Sequence, residues 1–198
     1  MSTLTTRDRI VESADQLFYR QGFDHTSFSD IADSVQISRG NFYYHFKTKD
    51  DILGAVIEHR LANTRLMLDR WEADSDDPAD RIRSFIRILL TNKTMIKRYG
   101  CPVGTLTSEL TKLDHAQSDQ ANALFTLFRV WLRQQFCELG LTKDADALAM
   151  HVLARSQGVA TLASAFHEEA FITYEVEQMC AWLKSCIQGT APAAQSIQ

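Results

Sequence analysis

Only three of the 198 residues are proline and eight are glycine. With so few breakers, and few β-branched alternations, the chain reads as all-α. Cysteine is scarce as well. Cys101, Cys137, Cys180 and Cys186 have no CxxC spacing and no nearby ligand histidine, which argues against structural zinc. Every apolar run meets an Arg, Lys or Asp within a few residues, so none is long enough to span a bilayer. A basic, apolar, small-residue leader is also missing, which makes a cytoplasmic protein with reduced thiols the expectation. Positive charge is not in surplus: 21 Lys and Arg face 25 Asp and Glu, a net charge of -4. Bulk attraction to polyanions therefore makes no case for any function. Catalytic signals are equally thin. There is no phosphate loop, metal set or paired-carboxylate array, and Cys101 with His115 or His167 makes a nucleophile–base pair only by imagination. Neither an enzyme nor a bound cofactor is expected.

What is present is concentrated in Ile37-Ser38-Arg39-Gly40-Asn41-Phe42-Tyr43-Tyr44-His45-Phe46-Lys47-Thr48-Lys49. This stretch holds three fixed cations and no acidic residue. Tyr, Asn, Ser and His stand beside the cations, a mixture suited to phosphates and base edges. The first fifty residues together carry six Lys and Arg against seven Asp and Glu. The arrangement of charge, not its sum, is the signal, and nonspecific affinity for DNA should be weak and salt-dependent.

The flanking sequence predicts a scaffold for this island. Thr5-x-x-Asp8 reads as a capping box opening a first helix, with Ile10, Ala14, Leu17 and Phe18 on its buried face. Gly22 ends that helix in the left-handed conformation. Ser27-Phe28-Ser29-Asp30 is a second capping box, opening a short helix with the stripe Phe28, Ile31, Ala32 and Val35. After a turn at Gln36-Ile37, Ser38 caps a third helix running to about His45, and Thr48-x-x-Asp51 caps a long fourth one. Two short helices joined by a tight turn, the second of them cationic, form a helix-turn-helix.

These residues resemble the N-terminal domain of the TetR family of transcriptional regulators from about Arg7 to Arg60. The anchors are Ala14-x-x-Leu17-Phe18-x-x-x-Gly22-Phe23, Thr26-Ser27-Phe28-x-x-Ile31-Ala32 and Ser38-x-Gly40-x-Phe42-Tyr43-x-His45-Phe46-x-x-Lys49-x-x-Ile52-Leu53. Gln36 departs from the pattern, because the family usually carries Gly there. A non-Gly left-handed residue costs on the order of 1 kcal/mol. The resemblance implies sequence-specific binding to a palindromic operator on double-stranded DNA, as a repressor or an activator. A helical adaptor that keeps the fold without DNA binding is the alternative, and it would predict a degraded recognition helix.

Within the island, Arg39 and Asn41 are the candidates for base contacts, since Arg grips guanine and Asn adenine bidentately. Tyr43 suits a thymine methyl or a phosphate. By analogy with the family, Tyr44 and His45 anchor the backbone. Ser27, Ser38 and Lys49 meet phosphates from helix starts, and Gly40 permits close approach. Phe42 and Phe46 belong to the core, and packing of Tyr43 or Tyr44 is the alternative to its contact role.

Beyond the fourth helix the pattern stays helical, for about nine helices in all. Asp77 caps a helix with Pro78 at its first position. A stripe of Ile82, Phe85, Ile86, Leu89 and Leu90 then runs on until Tyr99-Gly100-Cys101-Pro102 interrupts it. A short helix covers Thr105 to Leu113. A long one carries Leu124, Phe128, Trp131, Leu132 and Phe136 and stops at Gly140. The last two, Asp144 to about His167 and Tyr174 to Gln188, are respectively rich in small residues and apolar in stripe. They make either an internal contact or, as the resemblance implies, a homodimer. Expected domains are a DNA-reading headpiece over 1–49, an effector-binding and dimerisation body over 50–188, and a disordered tail over 189–198. The resemblance also implies a ligand pocket for a small-molecule effector. Met95, Tyr99, Phe128, Trp131, Phe166 and His167 are candidate walls, or else plain core. Cys101 follows Lys97 and Arg98 at a helix boundary, and cations beside a helix start favour the thiolate. Gly100 to Leu106 is similar to a segment in a subset of TetR-like repressors, some of which respond to electrophiles or drug-like compounds. Cys101 is thus either a sensor or a small space-filling residue.

Overall fold

The structure is a computed structural model that describes residues 5–189, with the side chain of Arg39 excepted. Ten α-helices follow one another among the described residues: α1 (Thr6–Gln21), α2 (Phe28–Val35), α3 (Arg39–His45), α4 (Lys49–Asp74), α5 (Pro78–Thr91), α6 (Lys93–Tyr99), α7 (Pro102–Lys112), α8 (Ser118–Glu138), α9 (Ala145–Phe166) and α10 (Glu169–Ile187). The tail expected over 189–198 lies outside the described residues apart from Gly189.

Local chemistry sets most boundaries. Thr5 with Asp8 and Ser27 with Asp30 form reciprocal capping boxes at α1 and α2. Thr48 and Asp51 do the same for α4: each backbone N–H reaches the other's side chain, at 2.9 and 3.0 Å. Asp77 caps α5, with Pro78 in the first turn where a missing N–H costs nothing. Gln36 takes the left-handed conformation expected of the turn, at φ 54° and ψ 44°. Gly22 differs from expectation. Its φ of 91° is positive, but ψ is 158°, so it caps α1 from the nearly glycine-only mirror-extended region and not from the left-handed helical one.

Three boundaries fall where periodicity did not place them. The stripe read as running on to Tyr99 breaks at Asn92, whose side-chain amide turns back to donate to Ile88 O at 3.1 Å, which makes α6 a separate helix. α7 starts at Pro102, which fits a first-turn position, and not at Thr105. α10 starts at Glu169, five residues before Tyr174, and Ile172 in its first turn is fully buried.

The chain packs as two compact units. The first takes the chain up to Thr64 together with Pro102–Leu124. Its core joins Ile10, Ala14 and Phe18 of α1, Ile31 and Val35 of α2, Phe42 and Phe46, Ile52, Leu53, Val56 and Ile57 of α4, and Leu106 and Leu110 of α7. Packing thus groups the start of α4 and all of α7 with the headpiece residues. The second unit takes Arg65–Cys101 and the chain from Phe125 onward. In it α10 packs on α5 and α9, and α6 packs on α9. Ion pairs Arg129–Asp146 (2.5 Å), Arg155–Glu175 (2.8 Å) and Lys93–Glu169 (3.2 Å) link its helices. Among the described residues no helix is long and apolar enough to cross a membrane, and no cluster of His, Cys, Asp and Glu forms a metal site.

Candidate nucleic-acid interface

Helix α3 is only seven residues long, so it depends on what it packs against. Phe42 is 0% exposed and meets Phe28 edge-on, with ring centroids 4.7 Å apart. Phe46 is buried, and the Arg7 guanidinium lies 5.1 Å from the centre of its ring. These two anchors fix which way the helix faces. At about 100° per residue, Gly40, Asn41, Tyr43 and Tyr44 must then lie away from the core. All four are exposed, Tyr43 by 49% and Tyr44 by 78%. Arg9 braces the preceding turn by donating to Val35 O at 3.0 Å, and Ser13 and Ser34 share a hydrogen bond between α1 and α2.

The candidate contact residues are in different states. Asn41 is exposed at the start of α3, and a Cβ at Gly40 would meet nothing in this chain. Tyr43 leans on Phe28 at 5.1 Å, which steadies the ring while leaving half of it exposed. Tyr44 packs only edge-on against the half-buried His45, at 5.2 Å. Ser38 and Ser27 are exposed hydroxyls that accept the N–H groups of Asn41 (3.3 Å) and Asp30 (3.0 Å). Arg39 opens α3, but its side chain lies outside the described residues. Lys47 turns its ammonium back to Tyr43 O. Lys49 is turned inward too: Nζ donates to Phe23 O at 2.9 Å and Asp24 O at 3.4 Å, and lies 4.2 Å from the centre of the Phe23 ring.

The result is one exposed face bearing an amide and two phenols, with hydroxyls nearby at the helix starts, on a helix locked from behind. Donors and acceptors at that spacing suit the edges of base pairs in a major groove. Residues 10–56, the same α1–α4 segment, match the sequence model of bacterial regulatory proteins of the tetR family. Over that segment the chain carries the N-terminal sequence pattern of the TetR family. It is 28% identical over 157 residues to an uncharacterized HTH-type transcriptional regulator in the lacX 3′ region of Lactococcus lactis subsp. lactis, covering 77% of this chain and 80% of that one. It is 23% identical over 134 residues to the HTH-type transcriptional repressor DhaR of Mycobacterium sp. (strain GP1), covering 67% and 65%. A TetR transcriptional regulator from Legionella pneumophila, known from its crystal structure, has the same fold, with a TM-score of 0.81 at 24% identity over 97% of this chain and 100% of that one.

That likeness turns attention to the second unit and its candidate effector residues, which lie on α6, α8 and α9 and in the turn after α9. Phe128 and Trp131 are core residues. Phe128 packs on Phe85 at 5.3 Å, and the Trp131 indole N–H donates to Glu72 at 2.7 Å beside Trp71. Met95 and Tyr99 are half-buried on α6. Phe166 is exposed and borders a surface cleft of about 330 Å³ with Leu162, Glu168 and Phe171. His167 is the exposed left-handed residue between α9 and α10, at φ 57°. Cys101 is a half-buried thiol between α6 and α7. The cations before it have partners of their own: Lys97 pairs with Glu169 at 3.3 Å, and the Arg98 guanidinium lies 5.2 Å from the Tyr99 ring centre.

Sequence reasoning missed Gln135. It is 0% exposed, its Oε1 accepts from Arg81 at 3.1 Å, and its Nε2 has no acceptor among the described residues. Arg81 also holds Ser75 O (2.8 Å) and Glu138 (2.9 Å), so the amide orientation of Gln135 is fixed from one side. The signal was available: Gln135 stands four residues after Trp131, at an apolar phase of the α8 stripe.

Proposed function

We propose that this protein is a sequence-specific DNA-binding repressor. It grips a palindromic operator as a homodimer and lets go when its second unit takes up a small-molecule or electrophile effector. The observation that carries the DNA reading is the face of α3: Asn41, Tyr43 and Tyr44 stand exposed while Phe42 between them is fully buried. Exposed aromatic rings at half-buried and open positions, held on a rigid helix, are what a contact surface keeps and a solvated surface lacks. Asn41 and Arg39 read base edges; Tyr43, Tyr44 and His45 touch the sugar–phosphate backbone; Ser27, Ser38 and the backbone at Gly40 complete the contact. The sign of regulation follows the similarity to DhaR, which is named a repressor.

A single short helix reads only a few base pairs, so specificity needs two copies related by a two-fold axis. The outer face of α9 suits that pairing. His151, Ala154, Gly158, Thr161 and Ala165 recur at spacings of three and four and are all exposed. A Cβ added at Gly158 would meet nothing within the chain. Small side chains let a second helix come close, and the exposed Tyr174 and Ala181 extend the face onto α10. For the effector, Gln135 Nε2, without an acceptor among the described residues, offers a donor to a carbonyl or carboxylate oxygen beside Arg81. An effector that favours the DNA-released state must itself bind more weakly when DNA is present.

Selection of bound duplexes from randomised DNA, with purified protein at physiological salt, tests the reading. The expected product is a site with two-fold symmetry. A folded protein that enriches no sequence would overturn it.

A further inference from the structure

The loop between α1 and α2 is held by two side chains of opposite charge from distant parts of the chain. The N–H groups of Phe23 and Asp24 each donate to one oxygen of the Glu109 carboxylate, both at 2.9 Å. The carbonyls of the same two residues accept from Lys49 Nζ at 2.9 and 3.4 Å. Gly22 N–H bonds to Phe18 O at 3.0 Å, and Gly22 O accepts from the buried Thr26 hydroxyl at 2.6 Å. Every backbone polar group from Gly22 to Asp24 is thereby paired, and Glu109 and Lys49 supply four of the bonds.

Gly22 makes room for this clamp. Its φ is +91°, and a Cβ there would lie 2.9 Å from Glu109 Oε1. The other end of α7, which carries Glu109, is pinned too. Arg60 donates to Pro102 O and to Asp15 Oδ1, both at 2.6 Å, and so joins α7 to α4 and α1. The clamped loop runs directly into the Ser27 cap of α2, with only His25 and the buried Thr26 between. Little slack is left to absorb a shift.

We infer that Glu109 is a positioning residue for DNA reading: by gripping the Phe23 and Asp24 amides it fixes the α2–turn–α3 pair on α7, so that a displacement of α7 displaces the recognition helix. This rests on the DNA-binding reading above. A carboxylate suits the task because it accepts two N–H bonds and donates none. Glutamine keeps one acceptor and sets an NH2 against the second amide, and alanine removes both.

The test compares wild type, Glu109→Gln and Glu109→Ala for affinity to the selected duplex and to a scrambled one across a salt series. Amide exchange at Phe23 and Asp24 is measured alongside. In Glu109→Ala the ratio of specific to nonspecific affinity is expected to fall on the order of tenfold. Nonspecific affinity and the salt slope should stay put, because Glu109 touches no phosphate. The two amides should exchange faster, and Glu109→Gln should fall between. An unchanged ratio in Glu109→Ala overturns the inference. So does an equal loss of specific and nonspecific affinity in Glu109→Gln, which marks a role in folding alone. If wild type itself prefers no sequence, the regulator reading fails and the DNA role of Glu109 goes with it, while faster exchange in the variants would still locate the clamp.

Discussion

Replacing Lys49 with methionine separates two roles for one ammonium. The sequence suggests a phosphate contact at the first turn of α4; the structure places Nζ 2.9 Å from Phe23 O and over the Phe23 ring. Methionine keeps much of the stem and removes the charge. A charge-assisted hydrogen bond contributes about 1.5–3 kcal/mol, and a partly exposed cation–π contact adds about 0.5–1 kcal/mol. The loss is softened because Phe23 O keeps a second donor, the N–H of Thr26 at 3.2 Å, and so is not orphaned. A net cost of about 1–2 kcal/mol follows, which for a chain of this size lowers the thermal midpoint by roughly 3–6 °C. The assay pairs thermal unfolding with the salt dependence of DNA binding. A phosphate contact would remove about 0.9 from the slope of log K against log salt; a loop anchor leaves that slope alone. An unchanged midpoint together with a shallower slope would refute the inward placement of Lys49 and restore it as a phosphate ligand.

Phe42→Ala should cost about 3–5 kcal/mol, as for any fully buried Phe, whereas Tyr44→Ala should change unfolding by less than about 0.5 kcal/mol and yet weaken DNA binding; urea titration with fluorescence anisotropy checks both. Ala154→Arg on the exposed face of α9 should give folded monomers in sedimentation, and persistence of dimers would move the interface elsewhere. Acid should loosen the headpiece through its caps. Hydrogen bonds from the Ser27 N–H and hydroxyl hold the Asp30 carboxyl below its ordinary value, and the Thr48 hydroxyl and N–H do the same for Asp51. A depressed folded-state pKa stabilises above the ordinary aspartate value of 3.8, and that stabilisation is lost as pH falls through the folded one. The thermal midpoint of wild type should therefore drop more steeply below about pH 4 than that of Asp30→Asn; parallel curves would show that the cap contributes nothing to acid sensitivity.

The legible features share a short reach along the chain. Capping boxes act between residues three apart, so Thr5-x-x-Asp8, Ser27-x-x-Asp30 and Thr48-x-x-Asp51 could be read directly and stand where they were read. The exposed face of α3 follows from the same logic, because burying Phe42 and Phe46 on a helix of seven residues leaves Asn41, Tyr43 and Tyr44 nowhere else to point. The start of α10 was harder. The residues before Tyr174 include two glutamates and no cap that hydrogen-bonds the helix, so nothing local announces Glu169 as its first residue.

Glu109 shows where such reading ends. On α7 it looks like any charge on a half-exposed helix, and its partners, the N–H groups of Phe23 and Asp24, lie 86 and 85 residues away. Periodicity says which face of a helix is covered, but not by what. A long side chain chooses among partners that only the packed chain brings within reach. Lys49 follows the same rule in the opposite direction: its position at a helix start suggested an outward phosphate, while the packed chain offered two carbonyls and a ring closer by. Both residues end on the same two peptide groups from opposite sides. Neutralising either one therefore exposes the other's half of the loop to motion, and the Lys49→Met and Glu109→Ala effects on specificity should be less than additive when combined. Strict additivity in that double-mutant cycle would mean that the two side chains hold separate elements, and the single clamp argued from their shared partners would be wrong.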